Sequence, residues 1–302
     1  MSLKEQYRTL LNRNSRVLNI SHLDLDGAAA SIVVANVFNN VKYRYFRYDE
    51  VDQFLKNTDL SEFDVILLTD ISPNDSLLLE EIPNSFLLDH HDSALCQHNP
   101  ENNRIVKTGK SAALLCKEFF ESLYNIDLSY LNDFCYVVND YDMWVNDDNR
   151  GWCLNELHFK YWSDVFRNRF IDGSITFNED ELNFIKERRK KYTTNFKALE
   201  IFELETIKGV FVMANEFVND ICSDLLKSGE EIVICMNPRN KNCSIRIADN
   251  GIHIGHILKE LDFGGGHKQA GGIREQDPIK FKEKVDILES LLYNRFAAIR
   301  RK

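Results

Sequence analysis

Residues 16–30, RVLNISHLDLDGAAA, join a short apolar run to a helical pattern that begins after Gly27. The same alternation of short apolar runs with helical patterns continues through the first half of the chain. It predicts strands at residues 16–21, 41–46, 64–69 and 85–88, and helices at 27–38, 111–124, 129–140 and 152–170. Strands that alternate with helices are typical of a parallel sheet covered by helices, so the predicted class is α/β.

The second half of the chain returns to strand-like runs after a charged stretch. Residues 178–197, NEDELNFIKERRKKYTTNFK, begin with an amide and acids and then become basic, which suits the dipole of a connecting helix. Beyond it we predict strands at 210–214, 231–236 and 244–248, and helices at 217–226, 254–261 and 278–295. The predicted organisation is therefore an α/β domain at residues 1–177, a connecting helix at 178–205 and a smaller α/β domain at 206–302.

The composition is that of an ordinary globular protein. Among the 302 residues, 44% are hydrophobic and 28% are charged, which excludes disordered, collagen-like and mucin-like classes. The formal net charge is −10, so we expect poor binding to long duplex nucleic acid, which depends on neutralising phosphates. A small anionic substrate is compatible with this charge if bound cations supply the missing positive charge.

The cysteine pattern and the hydropathy indicate a cellular location. Seven cysteines are present and none forms a C-x-x-C pair, which is typical of free thiols in a reducing compartment. The polar start of the sequence has no signal-peptide core, and no apolar run reaches membrane-span length. We expect a cytoplasmic protein without a membrane partner. The sequence leaves the oligomeric state open, a homodimer included.

Acidic and imidazole side chains stand where four apolar runs of the first half end. The set comprises His22, Asp24 and Asp26, then Asp70, then Asp89, His90 and His91, and finally Asp140 or Asp142. Ligands gather outside the carboxyl ends of the strands in open parallel sheets, so these side chains are predicted to converge on one crevice. In an extended segment, alternate residues such as His22, Asp24 and Asp26 would also point the same way.

So many carboxylates in one crevice would repel one another unless cations neutralise them. Oxygen ligands combined with imidazole suit two divalent cations, Mn²⁺ above all, with Mg²⁺ as the alternative and Zn²⁺ less favoured. Two such ions form a clamp for in-line displacement at phosphorus. Each acid taken alone is better explained as a helix cap or a turn residue. Their conjunction at four places indicates a metal site.

A glycine-rich stretch in the second half, residues 264–272 (GGGHKQAGG), is a candidate binding element. Exposed backbone N–H groups beside charged donors form a nest for a phosphate or sugar oxygen. The alternative is a flexible turn before a strand. We favour substrate binding, with contacts predicted from Arg246, Gly264, Gly265, Gly266 and His267.

Three other stretches have alternative explanations. Residues 109–111 (GKS) lack the earlier glycine of a P-loop, so we interpret them as a loop and helix N-cap. Residues 41–50 (VKYRYFRYDE) are interpreted as a strand with alternating faces rather than as a stacking platform. Tyr141 and Trp144 are equally compatible with base stacking and with packing.

Taken together, these motifs resemble the DHH phosphoesterase superfamily, named after the tripeptide present here at residues 89–91. The matching segments are HLDLDG at residues 22–27, Asp70 in LLTDIS, LLDHH at 87–91 and VVNDYDMW at 137–144. Residues 264–272 and Ser244-Ile245-Arg246 resemble the associated DHHA1 domain. Residues 21–27 and 139–144 are most similar to the nanoRNase-B type of oligoribonuclease. The resemblance implies a parallel-sheet DHH catalytic domain joined by a helical linker to a smaller α/β DHHA1 domain.

The resemblance also implies a role for each residue. One ion is implied to bind His22, Asp24 and Asp70, and the other to bind Asp26, Asp70, His91 and Asp140. The implied catalytic residues are His90, which would face the scissile phosphate, and Asp89, which would fix the tautomer of a neighbouring histidine. The spacing leaves Asp142 open as the alternative to Asp140.

The implied reaction is hydrolysis of short oligonucleotides to nucleoside 5′-monophosphates by water that two divalent cations activate. We therefore predict a Mn²⁺-dependent phosphodiesterase or exonuclease whose second domain grips a short single-stranded oligonucleotide or a dinucleotide. Alternative substrates for the same chemistry are cyclic or linear dinucleotides, 3′,5′-bisphosphorylated nucleosides and single-stranded DNA. A binding protein without catalysis is disfavoured, because every expected acid and histidine is present.

Overall fold

The computed structural model describes residues 2–204, 207–239, 242–249, 251–266, 268–275 and 277–300. The chain divides into two compact units, Met1–Lys186 and Glu187–Lys302. The division falls inside the predicted connecting segment at residues 178–205. The predicted domain bounds themselves stay a prediction, and residue 206, the predicted start of the second domain, lies outside the described residues.

The first unit is built on a five-stranded parallel sheet with the order β2-β1-β3-β4-β5. Its strands are β1 (Arg16–His22), β2 (Asn40–Phe46), β3 (Val65–Thr69), β4 (Ser85–Asp89) and β5 (Arg104–Val106). Its helices are α1 (Leu3–Leu10), α2 (Leu25–Val37), α3 (Val51–Asn57), α4 (Ala112–Tyr124), α5 (Asn132–Asp142), α6 (Asn149–Arg169) and α7 (Glu179–Lys197), which contains the division. Short 3₁₀ helices lie at Ser76–Leu79, Asp92–Gln97, Pro100–Asn102 and Ser129–Leu131.

Hydrophobic patterning explains why this sheet forms. Both β3 and β4 are buried along their whole length, and buried parallel strands need such continuous apolar runs. Residues of β1 alternate between two cores, because successive side chains of a strand point to opposite faces. Val17 belongs to the core that contains α2 and α4, whereas Leu18 and Ile20 belong to the core that contains α3. Helices therefore cover both faces, and the predicted α/β class is confirmed.

Two elements beside the predicted site differ from expectation. Helix α2 begins at Leu25 with Asp24 as its N-cap, so Asp26 lies in the first helical turn rather than in an extended segment. Helix α5 continues to Asp142, so both acids of the fourth motif lie in its last turn. Within the first unit, α1, α3 and β5 were not predicted, because a few residues carry too little periodicity to be distinguished from a loop.

The second unit has a six-stranded mixed sheet with the order β10-β11-β9-β8-β7-β6. Its strands are β6 (Ile201–Glu203), β7 (Gly209–Met213), β8 (Ile232–Asn237), β9 (Asn242–Ile247), β10 (Gly264–Gly266) and β11 (Ala270–Arg274). Its helices are α8 (Val218–Lys227), α9 (Ile254–Glu260) and α10 (Pro278–Arg300). Only β7 and β8 pair in parallel among these strands. The prediction of a second, smaller α/β unit is confirmed.

Across the described ranges, no helix combines the length and the apolar character needed to cross a membrane.

The start of α2 approaches β1 so closely that only glycine fits at position 27. A Cβ atom added to Gly27 would lie 2.2 Å from the backbone oxygen of His22 and 2.9 Å from its backbone nitrogen. The backbone of Gly27 is not in the left-handed region, so lack of space rather than conformation requires glycine here. This approach sets the distance between the end of β1 and the first turn of α2.

Replacing Gly27 by alanine should destabilise the first unit, although alanine is the better helix former. The added methyl group has no room unless α2 moves away from His22, and such overpacking costs about 1–3 kcal/mol. Thermal unfolding followed by circular dichroism should therefore show a lower melting temperature. Gly265→Ala is the control, because a Cβ there would meet no described atom within 4 Å. An unchanged melting temperature for Gly27→Ala would contradict the close approach.

Candidate metal centre

The predicted acids and histidines of the first unit come together at the carboxyl ends of β1, β3 and β4. These strands are neighbours in the sheet, so their ends lie along one edge. Three groups of side chains have potential ligand atoms within 4.8 Å of one another. They are His22, Asp24 and Asp70; Asp26, His90 and Asp142; and Asp70, Asp89, His90 and His91. The groups include Asp142 and not Asp140 as the acid from the fourth motif.

Asp70 belongs to two of these groups. It follows β3 directly, has a left-handed backbone (φ 61°) and donates its N–H to the carbonyl oxygen of Leu88 at 3.0 Å. Its side chain is 1% exposed; Oδ1 lies 3.1 Å from His90 Nε2 and Oδ2 lies 3.9 Å from His22 Nδ1. One carboxylate thus faces two ligand groups, and the strained backbone is what aims it there.

His90 is surrounded by carboxylates. Its Nε2 atom lies 3.1 Å from Asp70 Oδ1, 3.5 Å from Asp26 Oδ2 and 3.7 Å from Asp142 Oδ2. Burial alone would lower the pKa of His90, but the carboxylates of Asp142 and Asp26 raise it above its ordinary value. Asp26, His90 and Asp142 form one potential ligand group for a divalent cation, whereas Asp70 shares a different group with His90.

The group formed by His22 and Asp24 is more open. His22 Nδ1 lies 2.6 Å from Asp24 Oδ2, while Asp24 Oδ1 accepts a hydrogen bond from the N–H of Gly27 at 3.0 Å. The Asp24 side chain is 42% exposed. The N-terminus of α2 thus positions a carboxylate beside the end of β1 and leaves it accessible.

The N-terminus of α4 holds Asp26. Its Oδ2 accepts a hydrogen bond from the N–H of Ala112 at 2.6 Å, and its Oδ1 accepts one from Ala113 at 2.9 Å. Ser111 is the N-cap of α4, as the interpretation of residues 109–111 predicts. The otherwise unsatisfied N–H groups of a helix end therefore orient a predicted ligand, and the helix dipole stabilises its negative charge.

The two acids of the fourth motif have different environments. Asp140 Oδ1 accepts a hydrogen bond from the N–H of Asp147 at 3.2 Å, and its Oδ2 accepts one from Asp148 at 3.0 Å. Residues two positions apart on a helix differ by about 200° around its axis, so only one of the pair can face the cluster. Asp140 binds the backbone of the loop after α5, whereas Asp142 belongs to one of the candidate ligand groups. The choice of Asp140 or Asp142 as a metal ligand stays a prediction.

The electrostatics of the cluster fit bound cations. Burial raises the pKa of Asp142 to about 8, and the carboxylate of Asp26 adds to the shift. Burial also raises the pKa of Asp70 well above its ordinary value, with Asp26 again adding to the shift. Asp70 Oδ2 and Asp142 Oδ2 are buried and accept no hydrogen bond from any described residue. Buried polar atoms of this kind are costly, and divalent cations would satisfy them.

His91 is held from both sides. Its Nδ1 lies 2.7 Å from Asp89 Oδ1, and its Nε2 lies 2.6 Å from the hydroxyl oxygen of Tyr48. Burial alone would raise the pKa of Asp89, but contact with His91 lowers it below its ordinary value. The other oxygen of Asp89 accepts a hydrogen bond from Ser72. Asp89 therefore orients His91, in keeping with the implied role of Asp89 beside a neighbouring histidine. Both histidines belong to a candidate ligand group, and their implied roles stay predictions.

Tyr48 was missed by the sequence analysis. The stretch at residues 41–50 was interpreted as a strand, but β2 ends at Phe46 and Tyr48 lies two residues beyond it. The Tyr48 ring packs on His22 with centroids 4.4 Å apart and meets His91 edge to face at 5.4 Å. The signal that was available is its position, because β2 neighbours β1 and ends at the same edge of the sheet.

The predicted substrate contacts lie in the second unit. Strand β10 consists of the three predicted glycines, and a Cβ on Gly264 would lie 1.8 Å from the carbonyl oxygen of Gly272. Close approach of β10 and β11 thus explains at least one of these glycines without a ligand. Arg246 lies on β9, which pairs with β11, and His267 lies outside the described residues. Substrate binding by Arg246, Gly264, Gly265, Gly266 and His267 stays a prediction.

Comparison with known proteins gives matches among solved structures. No protein-family model matches the sequence, and no curated protein matches it. RecJ from Thermus thermophilus in complex with Mn²⁺ is 13% identical, with a TM-score of 0.59; the match covers 95% of this chain and 54% of that chain. This chain therefore spans about half the length of that RecJ.

Two further structures match along nearly their whole length. Exonuclease RecJ bound to manganese is 12% identical with a TM-score of 0.57, and the match covers 96% of this chain and 94% of that chain. The pGpG-specific phosphodiesterase PggH from Vibrio cholerae is 16% identical with a TM-score of 0.53. The match covers 93% of this chain and 99% of that chain. Similarity to the nanoRNase-B type stays a prediction. These matches show that the chain shares its fold with the two RecJ structures and PggH. Membership of the DHH/DHHA1 superfamily, which the motifs predict, stays a resemblance.

Proposed function

We propose that this protein is a metal-dependent phosphodiesterase that hydrolyses short oligonucleotides of the nanoRNA type to nucleoside 5′-monophosphates. The observation that carries the proposal is Asp70, whose two carboxylate oxygens face two different ligand groups. A carboxylate between two divalent cations suits a site for in-line displacement at phosphorus. Mn²⁺ is the expected ion and Mg²⁺ the alternative, because imidazole accompanies the oxygen ligands.

The ligand assignment follows the distances. One ion would be held by His22, Asp24 and Asp70, and the other by Asp26, His90 and Asp142. Asp70 would join the second set through Oδ1, which lies 3.1 Å from His90 Nε2. When bound, two divalent cations would supply positive charge to the phosphate and acidify a water molecule for attack.

The residues around the ligands contribute orientation. Since its pKa is lowered, Asp89 stays ionised and accepts the Nδ1–H of His91. That tautomer leaves His91 Nε2 as the acceptor for the hydroxyl group of Tyr48. His91 therefore has a fixed ring orientation beside both ligand groups. In our proposal, His91 and Tyr48 border the phosphate, while Asp26 is kept rigid by the N-terminus of α4.

The choice of substrate is the finer part of the proposal. A net charge of −10 disfavours long nucleic acids, which bind mainly through phosphate neutralisation. The similarity to a protein described as a pGpG-specific phosphodiesterase, with nearly complete coverage of both chains, supports linear dinucleotides as the second candidate substrate. The glycine-rich β10–β11 hairpin and Arg246 remain our candidates for holding the end of the substrate.

A substrate panel tests the function directly. With Mn²⁺, purified protein should release nucleoside 5′-monophosphates from RNA of about two to five nucleotides and act roughly tenfold more slowly on long strands. Turnover restricted to linear dinucleotides would establish the second candidate. Preference for 3′,5′-bisphosphorylated nucleosides or for long single-stranded DNA would contradict both. Lack of hydrolysis of every substrate with Mn²⁺, Mg²⁺ and Zn²⁺ would refute the proposed phosphodiesterase activity.

Substitution of Asp140 and Asp142, the two acids of the fourth motif, should show which of them binds metal and which stabilises the loop after α5. Asp142→Asn should weaken Mn²⁺ binding by about 100-fold in titration calorimetry, because it removes an anionic ligand. Asp140→Asn should leave Mn²⁺ affinity unchanged but lower the unfolding free energy by about 1 kcal/mol, because its amide nitrogen cannot accept a backbone hydrogen bond. The opposite pattern would restore Asp140 as the ligand.

In the metal-free protein, the raised pKa of Asp142 predicts stability that falls as the pH rises. The folded protein holds this proton more tightly than the unfolded chain, with a pKa of about 8 against an ordinary value of 3.8. The associated stabilisation is complete below about pH 4 and lost towards about pH 8. Asp142→Asn cannot ionise, so in chelator at pH 8 its unfolding free energy should exceed that of the wild type by about 2 kcal/mol. Parallel pH profiles of the two proteins would contradict the burial of this charge.

Substitution of His90 and of its neighbour His91 should affect different properties, metal stoichiometry in one case and turnover in the other. His90→Ala should abolish binding of one Mn²⁺ ion, because its Nε2 lies within 3.7 Å of three carboxylates. His91→Ala should retain two ions and lose about 100-fold in kcat, because only the orientation of the phosphate is affected. Mn²⁺ stoichiometry measured by electron paramagnetic resonance distinguishes them. Loss of an ion in His91→Ala alone would return the ligand role to His91.

A further inference from the structure

Tyr48 contacts a histidine in each of two candidate ligand groups. Its ring lies against His22, with the centroids 4.4 Å apart and the ring planes 36° from parallel. Its hydroxyl oxygen lies 2.6 Å from Nε2 of His91. His22 and His91 belong to different groups, which share Asp70. One side chain therefore touches both groups at their imidazoles.

The hydroxyl contact completes a restraint on His91. Nδ1 of this ring lies 2.7 Å from Oδ1 of Asp89. An ionised carboxylate can only accept, so Nδ1 carries the hydrogen and Nε2 accepts the hydroxyl hydrogen of Tyr48. An imidazole that is bonded at both nitrogens cannot rotate without breaking two hydrogen bonds. Asp89 and Tyr48 together therefore fix the orientation of the His91 ring.

The ring contact restrains His22 in a different way. Nδ1 of His22 lies 2.6 Å from Oδ2 of Asp24, so one edge of the imidazole is held by a carboxylate. One face of the same imidazole is covered by the Tyr48 ring. An aromatic contact at this distance stabilises the imidazole in one orientation. The two histidines thus depend on two different parts of the same tyrosine.

Backbone contacts hold Tyr48 itself in place. The N–H of Leu23 donates to the carbonyl oxygen of Phe46 at 3.0 Å, so the contact between β1 and β2 continues almost to Tyr48. Nδ2 of Asn74 donates to the carbonyl oxygen of Tyr48 at 2.9 Å, and the N–H of Asn74 donates to Asp52 at 2.8 Å. Asp52 lies in the first turn of α3. Tyr48 is therefore tied to the loop after β3 and, through it, to α3.

We propose that Tyr48 is a positioning residue, which sets the orientation of His22 through its ring and the orientation of His91 through its hydroxyl group. The proposal rests on the proposed function, in which His22 holds a cation and His91 borders the phosphate. The two contacts therefore have separate effects. Loss of the ring acts on cation binding through His22, and loss of the hydroxyl group acts on turnover through His91.

Packing alone explains these contacts less well. Tyr48 packs against the core that contains α3, and an aromatic residue without a hydroxyl group would serve there equally well. The hydroxyl group instead meets an imidazole that a carboxylate already holds from the other side. A tyrosine hydroxyl group usually finds some partner when it is shielded from water, so the experiment must separate the restraint of His91 from packing.

Tyr48→Phe isolates the hydroxyl group, because it keeps the ring. In chelator, two-bond ¹H–¹⁵N correlation spectra should show the Nε2 resonance of His91 at a higher ¹⁵N shift, since this nitrogen loses a hydrogen bond, while the His22 resonances stay in place. With Mn²⁺, kcat should fall about tenfold. KM and Mn²⁺ affinity should stay within about twofold of the wild type.

Tyr130→Phe is the matched control. It removes a hydroxyl group that donates to Asn36 Oδ1 at 3.1 Å in an exposed position, and neither residue belongs to a candidate ligand group. This variant should leave the histidine spectra, kcat and Mn²⁺ affinity unchanged. An unchanged His91 nitrogen shift in Tyr48→Phe, or an equal loss of kcat in Tyr130→Phe, would overturn the proposal.

Tyr48→Leu removes the ring as well as the hydroxyl group. The ring protons of His22 should then shift, because the ring current is lost, and one Mn²⁺ ion should bind about tenfold more weakly in titration calorimetry. Phenylalanine should restore this affinity but not kcat. Equal losses of affinity and kcat in the phenylalanine and leucine variants would assign Tyr48 to packing and overturn the proposal. If Tyr48→Leu does not fold, the His91 shift and the separation of kcat from KM in Tyr48→Phe decide the question.

The proposed function can fail independently of this inference. If the wild type hydrolyses no substrate, the spectra recorded in chelator still report both contacts. A shift of His91 in both Tyr48 variants and of His22 in Tyr48→Leu alone would support the positioning role. A shift of His22 in Tyr48→Phe as large as in Tyr48→Leu would refute it.

Discussion

The metal centre depends on burying several carboxylates within a few ångströms of one another. Asp26, Asp70 and Asp142 all surround His90, and burial raises the pKa of each of these acids. Without cations, the protein must either protonate these groups or tolerate their repulsion. If cations bind here as we propose, their binding and folding are coupled, because the ions would remove a cost that the folded state alone carries.

The sheet supplies the rigidity that this arrangement requires. Asp70 directly follows the fully buried strand β3, and Asp89 is the last residue of the fully buried strand β4, so the positions of both acids are fixed by the packing of two cores. The helices contribute through their ends, where α2 is capped by Asp24 and α4 donates two N–H groups to Asp26. Strand ends and helix ends therefore set the ligand positions, and the loops that join them contribute little.

The parts of this site that were predictable are those set by strand periodicity. A buried strand followed by an acid could be recognised from residues 64–70 and 85–89, because the apolar runs are continuous. The sequence could not decide between Asp140 and Asp142, since that choice depends on how α5 is rotated about its axis. Tyr48 was not predicted as a site residue because strand β2 ends two residues before it. Element boundaries are the least certain part of a sequence prediction.

Backbone conformation separates Asp70 from the ordinary turns of the first unit. Asn103 and Asn125 have left-handed conformations at the ends of helices, where asparagine adopts them at little cost. Asp70 does not end a helix; it follows the buried strand β3, whose packing fixes the chain at this point. The same backbone conformation places a carboxylate whose two oxygens face two ligand groups, because Oδ1 lies 3.1 Å from His90 Nε2 and Oδ2 lies 3.9 Å from His22 Nδ1. A strand end that packing holds rigid is therefore what allows one acid to serve both groups.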